Sequence, residues 1–207
     1  MIQRGALADQ LAKYEGWTYS LNDPRYPTAL PGVRLPMAPP NQTNCSAFVE
    51  GLVVGAAKVP WSLDAHRRAM IYDLAMRFGP VEALVDASLA DQGDPRGVPE
   101  AWSVCQGWRG PRGHTFIIAA VHEEAVAILE ANRGWGLNGV GYRGHGAVLP
   151  EFWWREPRRW TWARVKDTYP ELAVGALRLE PRALADLRDL PEPFIPGKPE
   201  GGGSIRG

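Results

Sequence analysis

Residues 43–56 read TNCSAFVEGLVVGA, and this stretch decides the interpretation of the chain. Apolar side chains at positions 45, 48, 49, 52, 53 and 56 follow the i, i+3, i+4 spacing of a helix with one buried side. Thr43 or Asn44 can cap that helix with a side-chain oxygen. Cys45 then lies in the first helical turn, where backbone N–H groups stabilise a thiolate. A cysteine in that place is a candidate nucleophile, and the alternative is a small buried hydrophobe.

A candidate base lies where a polar loop meets an apolar run in the second half of the chain. His114 opens the run 114–121, which is typical of a strand buried on both faces. A polar break and a second apolar run, 125–131, follow, so the pair predicts a hairpin. Glu130 interrupts the second run, where an unpaired carboxylate is unfavourable, and Asn132 comes directly after it.

The polar residues of this hairpin share one face only in a particular register. Directly opposed residues of an antiparallel pair lie on the same face. A three-residue loop sets His114 opposite Asn132 and Glu130 opposite Phe116, whereas a two-residue loop puts the polar groups on the wrong face unless a bulge intervenes. On the required register, Glu130 or Asn132 can orient the imidazole towards Cys45. The sequence thus predicts a cysteine hydrolase acting on acyl bonds and leaves the orienting residue open.

The remaining sequence divides into helices followed by strands, which predicts an α+β architecture with an antiparallel sheet. The predicted elements are a helix at 6–15, a proline-broken loop at 16–42, helices at 62–78 and 80–90, a loop at 92–99, strands at 102–106 and 160–165, a loop or glycine-kinked strand at 133–146, a strand at 172–179 and a helix at 183–190. We expect one domain over residues 1–190, with its core at about 14–180, and a mobile tail at 191–207.

Composition and charge narrow the possible partners. The formal net charge is zero and the isoelectric point is about 6.9, so a general attraction to nucleic acid is not indicated. No run approaches the roughly 18 apolar residues of a membrane span, and the first residues lack the apolar centre of a secretion signal. We therefore expect a protein made in the cytoplasm. Two cysteines and four histidines offer no metal-ligand spacing, so no metal and no cofactor is predicted, and Cys105 reads as a buried strand residue.

The segment 43–49 resembles the nucleophile helix of the NlpC/P60 superfamily, in which Asp-Cys-Ser-Gly-Phe/Leu-Val is usual. The order Asn-Cys, Gly-His and Glu-x-Asn is similar to its CHAP branch. The resemblance implies a papain-like fold, with N-terminal helices packed on an antiparallel sheet. It implies that Cys45 is the nucleophile, His114 the base, and Glu130 and Asn132 the polar pair that orients the base.

Two aromatic residues extend this comparison, and two positions depart from it. Tyr19 matches the tyrosine that NlpC/P60 enzymes place beside the nucleophile, and we expect it to bind substrate together with Trp17. Ala47 replaces the usual glycine, and Thr115 follows the histidine where valine is common. These departures affect the expected identity of the substrate more than the expected hydrolase chemistry.

The resemblance implies cleavage of amide bonds in peptidoglycan stem peptides through a thioacyl intermediate. A phage lysin or an injected antibacterial effector would fit, acting outside the producing cell or in a target cell, as a monomer with a possible immunity protein. One alternative is a protease, deamidase or acyltransferase toxin acting on proteins. Another is a non-catalytic module that binds a glycan or a partner through the aromatic and arginine residues of 152–162, which can also be core residues.

Overall fold

The computed structural model describes Ile2 and residues 6–70, 79–94, 97, 99–109, 112–122, 125–134, 137–146 and 160–166. These residues form helices and a mixed set of strands dominated by one antiparallel sheet, which confirms the predicted α+β class. The predicted strand at 172–179, the helix at 183–190 and the tail at 191–207 lie outside the described residues. Among the described helices, none has both the length and the apolar character needed to cross a membrane.

The helices are α1 Ala6–Ala12, α2 Cys45–Ala57, α3 Leu63–Met70 and α4 Pro80–Asp86. Two helices begin directly after a predicted cap, α2 after Asn44 and α3 after Ser62, and α4 begins at the predicted Pro80. Ser62 caps α3, because its hydroxyl accepts a hydrogen bond from the Ala65 N–H at 3.0 Å. The predicted end of α3 at residue 78 falls outside the described part of the chain.

Two helices end earlier than predicted, each for a local reason. The chain tightens after α1, where the Tyr14 N–H donates to the Leu11 carbonyl three residues back, at 2.9 Å. The helix α4 stops at Asp86 rather than near Ala90, because Ala90 is already the first residue of a strand.

The strands are β1 Thr18–Tyr19, β2 Gln42–Thr43, β3 Ala90–Gln92, β4 Ser103–Arg109, β5 Arg112–His122, β6 Ala125–Gly134, β7 Leu137–Gly146 and β8 Trp160–Val165. Six of them form a sheet in the order β3-β8-β4-β5-β6-β7, in which all neighbours are antiparallel. The two short strands β1 and β2 pair in parallel. Gln92 is the last residue of β3, so the loop that the sequence predicts at 92–99 begins one residue later, after Gln92.

The glycine-rich segment 133–146, which the sequence predicts as a loop or a glycine-kinked strand, contains the end of β6 and all of β7. β7 pairs with β6 from Gly146, opposite Ala125, to Leu137, opposite Gly134. Gly139 has a φ of 147°, and a Cβ there would come within 1.9 Å of the Trp17 carbonyl oxygen. The glycine thus allows the chain before β1 to lie against β7, where the Val140 N–H donates to Trp17 at 3.3 Å.

The β5–β6 hairpin combines a two-residue turn with a bulge. His122 pairs with Ala125, so the three-residue loop in the sequence prediction is wrong. The register then shifts between Ile118 and Ala120, which leaves one extra residue in β5. Beyond the shift, Ile117 pairs with Leu129, the register that the hypothesis requires, and Glu130 is the next residue along β6.

The central strands are buried on both faces, as their composition predicts. One cluster packs α2, with Phe48 and Leu52 fully buried, against Ile117 and Leu129 of the sheet. A second cluster contains Cys105, Phe116, Ile118 and Ile128, with Trp162 partly buried beside it. Cys105 is therefore the buried strand residue that the sequence predicted.

A buried carboxylate that the sequence analysis did not single out ties three segments to α2. Glu50 accepts hydrogen bonds from the Tyr26 hydroxyl at 2.7 Å and from the Trp61 indole N–H at 2.5 Å. The His66 Nδ1 atom lies 2.9 Å from the same carboxylate. Burial and the neighbouring Glu50 raise the pKa of Tyr26 well above its ordinary value, so this hydroxyl stays protonated. We call these four residues the Glu50 cluster.

Candidate functional site

Cys45 is the first residue of α2, and its position is fixed by the residue before it. Asn44 has the extended backbone of a helix cap (φ −121°, ψ 177°), and its side-chain oxygen accepts from the Ala47 N–H at 2.9 Å. The Phe48 N–H bonds to the Asn44 carbonyl at 2.9 Å and closes the first turn. The thiol therefore lies at the positive end of a thirteen-residue helix. Of the two capping residues that the sequence allowed, Asn44 is the cap.

His114 contacts Glu130 directly. The His114 Nε2 atom lies 2.5 Å from Glu130 Oε2, and the carboxylate is completely buried. Asn132 donates from its amide to the same oxygen at 3.2 Å. Of the two residues that the sequence left open, Glu130 touches the imidazole, whereas Asn132 touches Glu130.

The imidazole also bonds to Cys45, and this joins the two halves of the site. Burial on its own lowers the pKa of His114, but the hydrogen bonds to Cys45 and Glu130 and the negative charges of both partners raise it to about 9. The side chain keeps 30 % of its surface exposed, so its loss of hydration is partial and the two contacts prevail. His114 is then an imidazolium at neutral pH. Nε2 is the ring nitrogen that faces Glu130.

Tyr19 lies next to the same pair. Burial, followed by the charges of Cys45 and Glu130, raises its pKa to about 12, so its hydroxyl stays protonated beside two anionic groups. The strand β1 brings it there, because Tyr19 pairs with Thr43, two residues before the nucleophile. Tyr19 and Cys45 are neighbours, as the sequence predicts. The role of Tyr19 in substrate binding stays a prediction.

Trp17 lies in the hydrophobic core. Its side chain is only 5 % exposed and packs edge-on against Tyr14, with ring centroids 4.9 Å apart. The indole of Trp17 fills part of the core, and its predicted substrate-binding role stays a prediction. What Trp17 supplies is its carbonyl, which holds β7.

Leu21 is a residue near the site that the sequence analysis missed. Its side chain is 67 % exposed, and its carbonyl accepts from the Asn44 amide at 3.3 Å. A leucine in a proline-rich loop gives no signal in a single sequence, because its proximity to the nucleophile depends on how β1 and β2 pair.

The arrangement contains the groups that thiol-based acyl transfer uses. It holds a thiol at a helix start, an imidazolium in contact with that thiol, and a carboxylate that fixes the ring. Over the described ranges, no group of three or more His, Cys, Asp and Glu side chains is placed to hold a metal ion.

No protein-family model matches the chain, and a comparison with curated proteins finds no similar sequence. The function is therefore inferred from the site itself and from the short motifs that form it.

Proposed function

We propose that the chain is a cysteine hydrolase of papain-like fold that cleaves amide bonds in peptidoglycan stem peptides. The observation that carries the proposal is the continuous contact from Cys45 through His114 to Glu130, built from residues far apart in the sequence. A cysteine, an imidazole and an orienting carboxylate in this order are the parts of a thiol nucleophile activated by a base.

In the proposed reaction, the Cys45 thiolate attacks the carbonyl carbon of the amide and forms a C–S bond. The C–N bond then breaks, and the His114 imidazolium donates its proton to the leaving amine. Water attacks the thioacyl enzyme after giving a proton to the neutral imidazole. The acid leaves and the thiolate returns.

Other residues of the site have supporting roles in this reaction. Glu130 stabilises the imidazolium and fixes the ring, and Asn132 holds Glu130. The Cys45 backbone N–H, at the start of α2, is the donor that we assign to the oxyanion. We assign to the Tyr19 hydroxyl, whose pKa is raised by the charges of Cys45 and Glu130, a contact with the bound substrate.

The choice of peptidoglycan rests on the NlpC/P60-like and CHAP-like motifs around Cys45, His114 and Glu130. A phage lysin or an injected antibacterial effector would bring such an enzyme to the cell wall.

The test is digestion of purified peptidoglycan, followed by mass spectrometry of the released muropeptides. The wild-type protein is expected to create a new amine and a new carboxyl group at one type of amide bond. Cys45→Ala should lower the rate by roughly three orders of magnitude or more, because the nucleophile is lost. Cys105→Ala is the matched control, since it removes the other cysteine, which lies in the second cluster.

Other results would redirect the proposal. Unchanged muropeptides, together with Cys45-dependent modification of a protein, would replace peptidoglycan with a protein substrate. Equal digestion by the wild-type protein and Cys45→Ala would remove the nucleophile from the mechanism.

A further inference from the structure

The chain segment that follows β1 lies beside the start of the nucleophile helix. Thr18 and Tyr19 pair with Gln42 and Thr43, and the Ser20 N–H continues the pairing by donating to the Thr43 carbonyl at 2.8 Å. Since Thr43 is two residues before Cys45, this pairing leads the segment along the edge of the site. We call residues 18–21 the wall segment.

One buried side chain fastens the wall segment to the helix. The Asn44 oxygen accepts from the Ala47 N–H at 2.9 Å, and its amide nitrogen donates to the Leu21 carbonyl at 3.3 Å. An amide carries its acceptor and its donor on two separate atoms, so one Asn44 side chain can bind the Ala47 N–H and the Leu21 carbonyl at once. Serine keeps a capping oxygen but lacks the second polar atom that donates to Leu21, and aspartate caps but adds a negative charge beside Cys45.

The fastened backbone presents an apolar side chain to solvent. Leu21 is 67 % exposed, the highest exposure among the large hydrophobic residues that the structure describes. Single exposed leucines are ordinary on protein surfaces. What distinguishes Leu21 is that its own carbonyl is held by the residue next to the nucleophile.

Three polar side chains next to the wall segment bind one another. Asp23 pairs with Arg25 at 2.7 Å and accepts from the Gln42 amide at 3.2 Å. The Gln42 amide also reaches the Asp23 carbonyl at 2.8 Å. Within the wall segment, the exposed large apolar side chain is that of Leu21.

We propose that Leu21 is a specificity-determining residue, which contacts an aliphatic side chain within one or two residues of the scissile carbonyl, and that Asn44 is its positioning residue. The inference rests on the proposed cysteine chemistry. It adds the class of acyl donor: the donor carries an apolar side chain rather than a charged or amide-bearing one. Removing such a contact lowers the preference for an apolar substrate by roughly 10-fold or more.

The experiment uses two peptidyl acyloxymethyl ketones that differ in one side chain, leucine or asparagine, at the residue before the reactive ketone. The Cys45 sulfur displaces the carboxylate of the probe and forms a thioether, which peptide mass mapping locates. Each labelling rate is divided by the rate with iodoacetamide, which reports the thiol alone. The wild-type protein is expected to label faster with the leucine probe.

Three variants separate specificity from positioning. Leu21→Ser should reduce the leucine preference roughly 10-fold. Asn44→Ser should reduce it as well, while the thermal midpoint stays near that of the wild type, because the serine oxygen still caps α2. Leu63→Ser is the control, since Leu63 is also exposed but begins α3, and its preference should equal the wild-type value.

The outcomes distinguish this inference from the function on which it rests. Equal preference in the wild type and Leu21→Ser, with iodoacetamide labelling that still depends on His114, would overturn the role of Leu21 and leave the cysteine chemistry standing. Full preference in Asn44→Ser would overturn the positioning role. Iodoacetamide labelling of Cys45 that does not change in His114→Ala would sink the proposed function, and this inference with it.

Discussion

At the residue scale, Glu130 carries a carboxylate into a part of β6 where its neighbours in the chain, Leu129 and Ala131, are fully buried. A buried carboxylate is stable when charged or hydrogen-bonded partners surround it. His114 and Asn132 are two of those partners, at 2.5 Å and 3.2 Å. The burial and the ion pair support one another, since the imidazolium stabilises the carboxylate and the carboxylate keeps the imidazole protonated.

Replacing Glu130 with glutamine should lower the pKa of His114. The value of about 9 lies above the ordinary 6.5, and the shift has the sign of an imidazolium stabilised by negative charge. His114 is therefore charged below about pH 9 and becomes neutral above it. Burial lowers the pKa of His114, and without the Glu130 charge less negative charge offsets that effect. The midpoint of the His114 titration therefore moves towards neutral pH. NMR titration of the His114 ring proton measures the shift.

The same change should appear in the reaction. Protonation of the leaving amine needs the imidazolium, so hydrolysis should fall off near pH 9 in the wild type and at lower pH in Glu130→Gln. Glu100→Gln is the control, because Glu100 is exposed and pairs with Arg164. A His114 titration that is identical in Glu130→Gln and the wild type would contradict the proposed ion pair.

At the element scale, the β5–β6 hairpin shows how one extra residue places the site. The two-residue turn sets His122 against Ala125, and on that register alone Glu130 would oppose Ile117. The shift between Ile118 and Ala120 moves the strand by one residue, so that Leu129 opposes Ile117 instead. The bulge therefore decides which face of β6 meets His114.

Deleting one residue of the Ala119–Ala120 pair should preserve the site. The deletion removes the extra residue, and Ile118 and the remaining alanine keep their partners, Ile128 and Ala127. The loss of a buried methyl group should lower the free energy of unfolding by about 1 kcal/mol. Urea unfolding and iodoacetamide labelling of Cys45 measure stability and site integrity.

The matched control adds a residue on the other side of the bulge. One alanine inserted after Thr115 shifts His114 by one position, to the opposite face of the strand. Labelling should then lose its dependence on His114. If the insertion kept that dependence and the deletion abolished it, the register argument would be wrong.

At the scale of the whole molecule, the Glu50 cluster joins segments that are distant in the chain. Tyr26 belongs to the proline-rich loop, Trp61 to the connection before α3, and His66 to α3 itself. All three meet on the helix that begins with Cys45. The cluster thus holds the region around α2 together.

Glu50→Gln should lower the free energy of unfolding by about 3 kcal/mol, because the glutamine amide faces a donor where a carboxylate oxygen accepted one. Chemical denaturation with urea measures the difference. Glu100→Gln should change stability by less than about 1 kcal/mol, since its ion pair is exposed. Equal unfolding midpoints for Glu50→Gln and the wild type would show that the cluster adds no stability.

Local signals were sufficient for much of this architecture. The start of α2, the cap at Ser62, Pro80 as a first helical residue and the apolar strand after His114 were all predictable, because each depends on neighbours within a few residues. The α+β class follows from the order of these elements.

Features that depend on distant partners were not predictable. Glu50 looks like an ordinary polar residue in α2, and its burial is explained only by donors from three other segments. The burial of Trp17 depends on Tyr14 and on contact with β7. The choice of Glu130 over Asn132 depends on side-chain reach, which register does not fix.

The close approach at Gly139 has a consequence for self-association. β7 is an edge strand of the described sheet, and unpaired edges recruit strands from other molecules and lead to aggregation. Near the start of this edge, the Val140 N–H already donates to the Trp17 carbonyl. A strand from another molecule therefore cannot pair along the whole length of β7. A side chain at position 139 would push Trp17 away and open the edge. The glycine that lets Trp17 lie against β7 therefore also limits the pairing of β7 with strands of other molecules.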